Sequence, residues 1–327
     1  MGDARVSVCI PAYEAAEFID RTLGCARAQT QEDIRILVSV DSSTDATEEL
    51  SRVHADADDR VAVFPQPERM GWAGNVNFLL DRADTPYAFL YFHDDLIEPA
   101  YCEALTGALG ERPDAATAHC DVGHFGGSDK VVGGHPFEGS PAVRLIDFTT
   151  YRPKPSLLRA MLRMDRAGHL RLRTGAAGIW ANRPFQMEMI AAGPALHVPQ
   201  TLYSRWDQRE GGLTDAWLEL PFEELLAGLR ANAEAGTEVV DGLESPPEER
   251  AAALFALGVH STLRLRRAEA HYGVPTVHPP ETLSHHFRDL HPPPSLDQLP
   301  AELHERCLGD WRRLRKQTRR RESAAGS

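Results

Sequence analysis

Four short apolar runs separated by helix-length segments constrain the fold of this chain more than any other feature. Arg5-Val-Ser-Val-Cys-Ile10, Ile34-Arg-Ile-Leu-Val-Ser-Val40, Val61-Ala-Val-Phe64 and Tyr87-Ala-Phe-Leu-Tyr-Phe92 each have the length and composition of a strand. Between them lie Ala15 to Ala28, a segment opened by Asp45-Ala-Thr-Glu48 in the form of a capping box, and Ala73 to Asp84. Such alternation predicts a parallel, doubly wound sheet with right-handed crossovers. The fourth run is bounded by Pro86 and two adjacent carboxylates, Asp94 and Asp95, and reads as a central strand buried on both faces. Ala115 to His119 adds a further strand. Gly123 to Pro141, rich in Gly, Pro and His, reads as a long loop over one sheet edge.

The character changes near Trp217. Phe222, Leu225, Leu226 and Leu229 fall on one face of an amphipathic helix. Ser245-Pro-Pro-Glu248 opens another helix, and Leu254, Leu257, Leu263 and Leu265 continue it. After a proline-rich connector, Val277-His-Pro-Pro and His291-Pro-Pro-Pro294, a last helix runs from about Leu299. The expected division is a nucleotide-binding domain over 1–215 and a helical region over 216–327. That region ends in seven basic residues among the ten from Arg312 to Arg321. The run reads as a solvated, frayed tail, with weak contact to an anionic membrane surface as the alternative.

At 327 residues the chain can bury a sizeable core and carry an appendage to one large domain. A formal net charge of −13 excludes a general nucleic-acid binder, which needs a basic surface for phosphates. The five cysteines show neither CxxC pairing nor the spacing of a disulfide framework, so free thiols in a reducing cytoplasm are expected. No apolar stretch approaches the ~18 residues of a spanning helix, and the first residues lack a signal-peptide core.

Four motifs fall where the strands of such a sheet end, which is where open α/β sheets bind ligands. They are Ile10-Pro-Ala-Tyr-Glu14, Val40-Asp-Ser-Ser-Thr-Asp-Ala-Thr47, Met70-Gly-Trp-Ala-Gly-Asn-Val-Asn77 and His93-Asp-Asp95. Asp41 is placed to accept a hydrogen bond from a base or ribose hydroxyl. Gly71 and Gly74 allow close backbone approach at a helix start, where N–H groups attract phosphate. Two carboxylates as close as Asp94 and Asp95 repel unless a cation sits between them, and Mg²⁺ or Mn²⁺ prefers oxygen ligands. The bland reading of each motif taken singly is a turn or a helix cap.

Taken in order, the four motifs resemble family 2 glycosyltransferases of the GT-A fold, a Rossmann-like, mostly parallel α/β sheet flanked by helices. The likeness covers residues 5–125, and 175–215 more loosely. It implies transfer of a sugar from a UDP-, GDP- or dTDP-sugar donor to a hydroxyl or amine of a small-molecule or glycan acceptor, with inversion. By position, Pro11, Tyr13, Glu14 and Asp41 would line the nucleoside pocket, with Asn75 and Asn77 beside it. Asp94 would be the metal ligand and Asp95 its neighbour. Leu202-Tyr-Ser-Arg-Trp-Asp-Gln-Arg-Glu-Gly-Gly-Leu-Thr214 resembles the family's Tyr-x-x-Arg-x-His segment, with Asp207 at the His position as a further cation ligand. Arg205 and Arg209 could pair the diphosphate bidentately.

The sequence departs from the family at three places. Val40-Asp41 keeps one acid of the usual pair after the second strand, and Phe92 replaces the first carboxylate of the Asp-x-Asp-Asp form. Where a Glu-Asp pair should supply the catalytic base, the chain has Ala181-Asn182, and an asparagine takes no proton. Glu188, Asp207 and Asp121 are the candidates for that role. His119, His124, His135 and His197, near the expected acceptor side, read as packing or loop histidines. The alternatives are an inactive GT-A relative acting as a binding or scaffold subunit, and a nucleotidyltransferase on a similar sheet. Pro11-Ala-Tyr13 in place of a glycine-rich basic loop argues against the latter. The helical region would shape an acceptor pocket or a homodimer interface.

Overall fold

In the computed structural model, which describes residues 4–153, 156–178, 180–207, 219–274, 287 and 290–325, the four apolar runs form one parallel block. β1 (Val6–Ala12) pairs with β2 (Ile34–Val40) and with β4 (Tyr87–Leu90), and β2 pairs with β3 (Val61–Pro65). All seven residues of β1 are buried, as a strand covered on both faces requires. Helices α1 (Ile19–Arg27), α2 (Thr47–Ala57) and α3 (Gly71–Leu80) make the crossovers. Ile19 and Leu23 of α1 join Val6, Val8 and Ile10 in the core.

Two helix starts differ from expectation for one reason. The capping box does not form: the N-cap of α2 is Ala46, and Glu48 pairs with Arg52 at 2.8 Å. Asp45 instead accepts from the Thr47 N–H (3.0 Å) with one oxygen and from the Ala16 N–H (2.9 Å) with the other. Ala15 N–H is taken by Thr47 Oγ1 at 2.7 Å. The residues after β1 are thus bound to the loop after β2, and α1 begins at Ile19.

Past β4 the sheet becomes mixed. β5 (Leu96–Ile97) is followed by α4 (Tyr101–Glu111) and β6 (Thr117–Phe125). β7 (Val131–Val132) turns back onto β6, so the expected loop from Gly123 contains the end of one strand and the whole of another. β8 (Met161–Arg163), followed by the single turn α6 (Met164–Ala167), lies antiparallel between β4 and β6. β9 (Ala195–Trp206) runs parallel to β6, with a bulge at Asp121, and antiparallel to β5. The order is β3-β2-β1-β4-β8-β6-β9-β5. All five cysteines are free, and four of them are buried.

The chain forms two compact units that alternate along the sequence, where a single cut at 215/216 was expected. The sheet unit is Met1–Pro136, Pro153–Thr174 and Ala192–Gly212, and the second is Phe137–Arg152, Gly175–Ala191 and Leu213–Ser327. The second unit contains α5 (Pro141–Thr150), α7 (Asn182–Ala192), α8 (Phe222–Asp241), α9 (Pro247–Tyr272) and α10 (Ala301–Ala325). Ser140 caps α5 by accepting from the Val143 N–H, with Pro141 at the first helical position. Arg144 of α5 then donates to the carbonyls of Ile190 (2.8 Å) and Ala191 (3.1 Å) at the end of α7. Those bonds satisfy carbonyls that a helix end leaves open. Leu225, Leu226 and Leu229 are buried on α8 as their spacing requires. α9 starts at Pro247 after Pro246, not with Ser245 as its cap. The basic run Arg312–Arg321 lies on α10 and is helical, not frayed; Arg312, Arg313, Arg315, Lys316 and Arg319 are exposed on it. Among the described residues no helix is long and apolar enough to cross a membrane.

Candidate active site

The loops leaving β1 and β2 are laced to each other. Glu14 and Ser42 both adopt left-handed backbone angles (φ 45° and 52°) to make the tight turns. Glu14 Oε1 accepts from the Thr44 N–H at 2.8 Å, and the Glu14 N–H donates to Ser43 Oγ at 3.0 Å. Pro11 is buried in β1, and its carbonyl faces His93 Nδ1 at 3.0 Å, tying β1 to the turn after β4. Asp41 is 1% exposed and accepts from the Met70 N–H at 2.6 Å. Arg69 faces its other oxygen at 3.6 Å and lies over the Tyr13 ring, 3.1 Å from its centroid. Arg69 thus joins Tyr13 and Asp41 in the pocket expected for a nucleoside. Nothing in the local pattern around Arg69 marks it for this.

The two asparagines of α3 serve the scaffold. Gly71, at φ 72°, makes the turn into the helix. Asn75 Nδ2 donates to the Ser39 carbonyl at 3.1 Å, bracing α3 against β2. Asn77 is spent on one backbone residue: its Nδ2 donates to the Leu172 carbonyl (2.9 Å) and its Oδ1 accepts from the Leu172 N–H (2.8 Å). These two bonds brace α3 against the segment at Leu172.

At the turn after β4 the two carboxylates part company. Asp95 is buried, and its Oδ2 receives Arg159 Nε (2.8 Å), Arg159 Nη2 (2.7 Å) and the Tyr203 hydroxyl (2.9 Å). Oδ1 receives the Trp206 N–H at 3.1 Å. Burial raises the Asp95 pKa, and the Arg159 guanidinium pulls against that rise. Asp95 thus joins the turn after β4 to β9, with the Arg159 guanidinium as the cation that balances it. Asp94 stands half-buried beside it. Arg205, on β9 (Ala195–Trp206), has its pKa lowered by burial and by Arg159, while Asp95, Asp207 and Asp94 act the other way. Its Nε is buried without a hydrogen-bond partner among the described residues. Arg209 and the Gly211-Gly212 turn lie outside the described residues.

Asp207 follows β9 and is held by Ser128 Oγ (2.7 Å), Lys130 Nζ (3.4 Å) and His124 Nδ1 (3.5 Å). The Ser128 hydrogen bond leads the effects that lower its pKa. With three partners on one oxygen, Asp207 reads as the anchor of the β6–β7 hairpin. Asp121, at the bulge of β6, accepts from the Gly134 N–H (2.6 Å) and pairs with His197 Nε2 (2.7 Å). The His197 ring lies so close to Gly134 that any side chain there would overlap it. Glu188 sits on α7 in the second unit.

Beside this pair His119 is buried, its ring stacked on His197 with centroids 5.5 Å apart. Burial first, then the neighbouring His197 and His135, pull its pKa down to about 3. An unfolded chain takes up this proton near pH ~6.5. Stability from a neutral His119 is therefore present above ~6.5 and lost as pH falls toward 3, because the unfolded state binds the extra proton. Urea unfolding of a His119→Gln variant is expected to show a flatter acid limb across that range. An acid limb as steep as the parent's would refute the assignment.

Residues 7–168 match the model of the family described as Glycosyl transferase family 2. The chain carries a family 2 glycosyltransferase domain. Over 109 residues it is 30% identical to EpsH of Bacillus subtilis, covering 33% of this chain and 31% of that protein. The match spans 31%, 35% and 15% of the length of three curated relatives. In fold it is similar to S. aureus TarS in complex with UDP-GlcNAc, at TM-score 0.69 and 14% identity over 97% of this chain and 92% of that one. A second neighbour is the mannosyltransferase PcManGT from Pyrobaculum calidifontis in complex with GDP-Man and Mn²⁺, at TM-score 0.53 and 15% identity over 82% and 74%. The glycosyltransferase domain has the GT-A fold, with its mostly parallel sheet between helices.

Proposed function

We propose that this chain transfers a sugar from a nucleoside diphosphate donor, a UDP-, GDP- or dTDP-sugar, to a hydroxyl or amine of a small-molecule or glycan acceptor. One observation carries the reading. A half-buried carboxylate on the turn after β4, Asp94, acts on a guanidinium of β9, Arg205, that has no ion-pair partner among the described residues. A diphosphate needs that combination: a fixed fork for its oxygens and a carboxylate for the cation that accompanies it.

The donor set suits a hard cation held by one carboxylate. Mg²⁺ is commonly bound through one or two carboxylates plus substrate phosphates and water, and Asp94 would supply the protein's share. When bound, Mg²⁺ or Mn²⁺ neutralises charge on the departing diphosphate. Asp41 and Tyr13 hold the nucleoside, with Arg69 between them, and Arg205 orients the diphosphate. The acceptor's proton goes to Asp121, whose pairing with His197 at 2.7 Å gives a carboxylate–imidazole couple for proton transfer. Attack in line then inverts the anomeric centre. The complexes of TarS with UDP-GlcNAc and of PcManGT with GDP-Man and Mn²⁺ support the donor class and the metal. Free thiols suit a cytoplasmic setting, and the exposed basic face of α10 suits weak contact with an anionic membrane surface.

The second reading, a binding subunit without turnover, draws on Asn182 at the expected acid position and on the engagement of Asp95. A thermal-shift screen of sugar nucleotides with Mn²⁺, followed by measurement of released nucleoside diphosphate, separates the two. A donor that raises the melting temperature and is turned over is the expected result. Binding without release under any acceptor supports the subunit, and no stabilisation by any donor defeats both readings.

A further inference from the structure

A chain with a formal net charge of −13 is repelled as a whole by anionic surfaces, which makes a concentrated basic face on it an exception that needs a reason. Arg312, Arg315, Lys316 and Arg319 fall at i, i+3, i+4 and i+7 along α10, which places them in one stripe, and Arg313 flanks it. All five are exposed, whereas Leu303, Cys307 and Leu314 of the same helix are buried. The stripe therefore lies on the face turned away from the core. It does not end at the edge of the helix. α9 packs against α10 and carries the exposed Arg267, whose charge acts on Arg152 together with that of Arg313.

Few carboxylates answer these groups. Glu305 reaches Arg312 at 3.5 Å, and both side chains are well exposed, so the pair contributes little. Asp310 is shared between Arg313 at 3.4 Å and Arg152 at 3.8 Å. Arg267, Arg315 and Lys316 have no ion-pair partner among the described residues. The Arg315 guanidinium lies 5.1 Å from the Trp311 ring centroid, a contact that steadies a cation without neutralising it.

The face offers charge and almost nothing else. Trp311 turns its indole N–H inward to the Leu290 carbonyl at 2.8 Å, and the aliphatic residues of α10 belong to the core. A helix that inserts into a bilayer shows a broad apolar face to it, and this one does not. Its cations stand instead on long, separate stems along an outward-facing helix. An acidic protein would need fixed carboxylates at the helix's own spacing to meet them together. Anionic lipids diffuse within their leaflet and gather under each cation, so a bilayer surface meets all of them without a matched pattern. Clusters of four to eight Lys and Arg on a helix suit such a surface.

We propose that this face of α9 and α10 is an electrostatic docking surface for an anionic lipid bilayer, engaged at the level of the headgroups with no side chain entering the hydrocarbon. The acidic balance of the rest of the chain is repelled by the same surface, so the protein docks by this face in a defined orientation. Every residue involved belongs to the second unit, and docking draws on none of the donor-site residues.

Co-sedimentation of the full chain with phosphatidylcholine vesicles, with and without about one third phosphatidylglycerol, tests the surface. Binding is expected only with the anionic lipid, and it should disappear between roughly 50 mM and 500 mM salt as the charges are screened. Lys316→Gln and Arg267→Gln should each weaken it about fivefold, and the pair about 25-fold. Lys316→Arg, which keeps the charge, should bind like the parent. Arg52→Gln removes an exposed cation of α2 instead and should leave binding unchanged. Because docking is read without turnover, its failure is separate from that of the donor site, and the Mn²⁺-dependent response to a sugar nucleotide should persist in Lys316→Gln. Equal binding to neutral vesicles, binding that survives the higher salt, or losses as large in Arg52→Gln as in Lys316→Gln would each overturn the proposal. Binding of soluble polyphosphate by a chain that leaves the anionic vesicles unbound would also overturn it and assign the face to a polyanion.

Discussion

Replacing Asp94 with alanine is expected to weaken nucleoside diphosphate binding in the presence of Mn²⁺ by about a hundredfold, the scale of losing one fully engaged charge pair. Metal-free affinity and melting temperature should hardly move. The reason lies in what surrounds Asp94. Asp95 is bound by Arg159, Tyr203 and Trp206, and Asp207 by Ser128, Lys130 and His124, so each of these carboxylates already answers a cation of the chain. Mg²⁺ is commonly held by one or two carboxylates together with substrate phosphates, so in the proposed site the bound diphosphate would complete the coordination. Cation and nucleotide should then bind as a unit, each weak without the other. Calorimetry of parent and variant with UDP, with and without Mn²⁺, reads this directly. Equal affinities with Mn²⁺ would move the cation away from Asp94.

Much of this arrangement was legible before any coordinates, because it is local. Strand length and burial are written in runs such as Ile34–Val40, and a strand-ending turn in Asp41-Ser-Ser-Thr44, so the parallel block and the motif loops at its edge follow from short-range patterns. The rest depends on partners far away in sequence. Asn77 looks like a ligand-facing amide until Leu172, 95 residues on, is found clamped to it. Arg159 sits in a segment without any motif, yet it reaches Asp95 across 64 residues. The repulsion between adjacent carboxylates was expected to be settled by a metal. For Asp95 it is settled by a guanidinium, which does the same electrostatic work. The alternation of the two units was equally hidden, because α5 carries an ordinary amphipathic pattern that names no partner.

That guanidinium gives the largest expected effect on stability. Arg159→Met keeps a long apolar stem between Phe92 and Tyr203, the rings that the guanidinium faces at 4.9 and 5.3 Å, and removes the charge. Asp95, 1% exposed, would be left with the Tyr203 hydroxyl and the Trp206 N–H alone. Stranding one partner of a buried pair costs about 3–5 kcal/mol. Neutralising the survivor should recover much of that loss. Asp95→Asn in the Arg159→Met background keeps an oxygen to accept from the Trp206 N–H, turns an NH2 that can donate toward the Tyr203 hydroxyl, and carries no charge, so the double variant is expected to be more stable than Arg159→Met alone. The pH dependence has a definite sign. Burial raises the Asp95 pKa in the parent, and without Arg159 it rises further. A group whose folded pKa lies above its unfolded value of ~3.9 stabilises the fold below that value, and the stabilisation is lost as pH rises through the folded pKa. The deficit of Arg159→Met should therefore shrink on acidification from pH 7 toward 4, and that of the double variant should not. Urea unfolding at several pH values measures both. A deficit of constant size over that range would mean that the stranded Asp95 carboxylate is not what the substitution exposes, and the loss would then belong to the packing of the arginine stem.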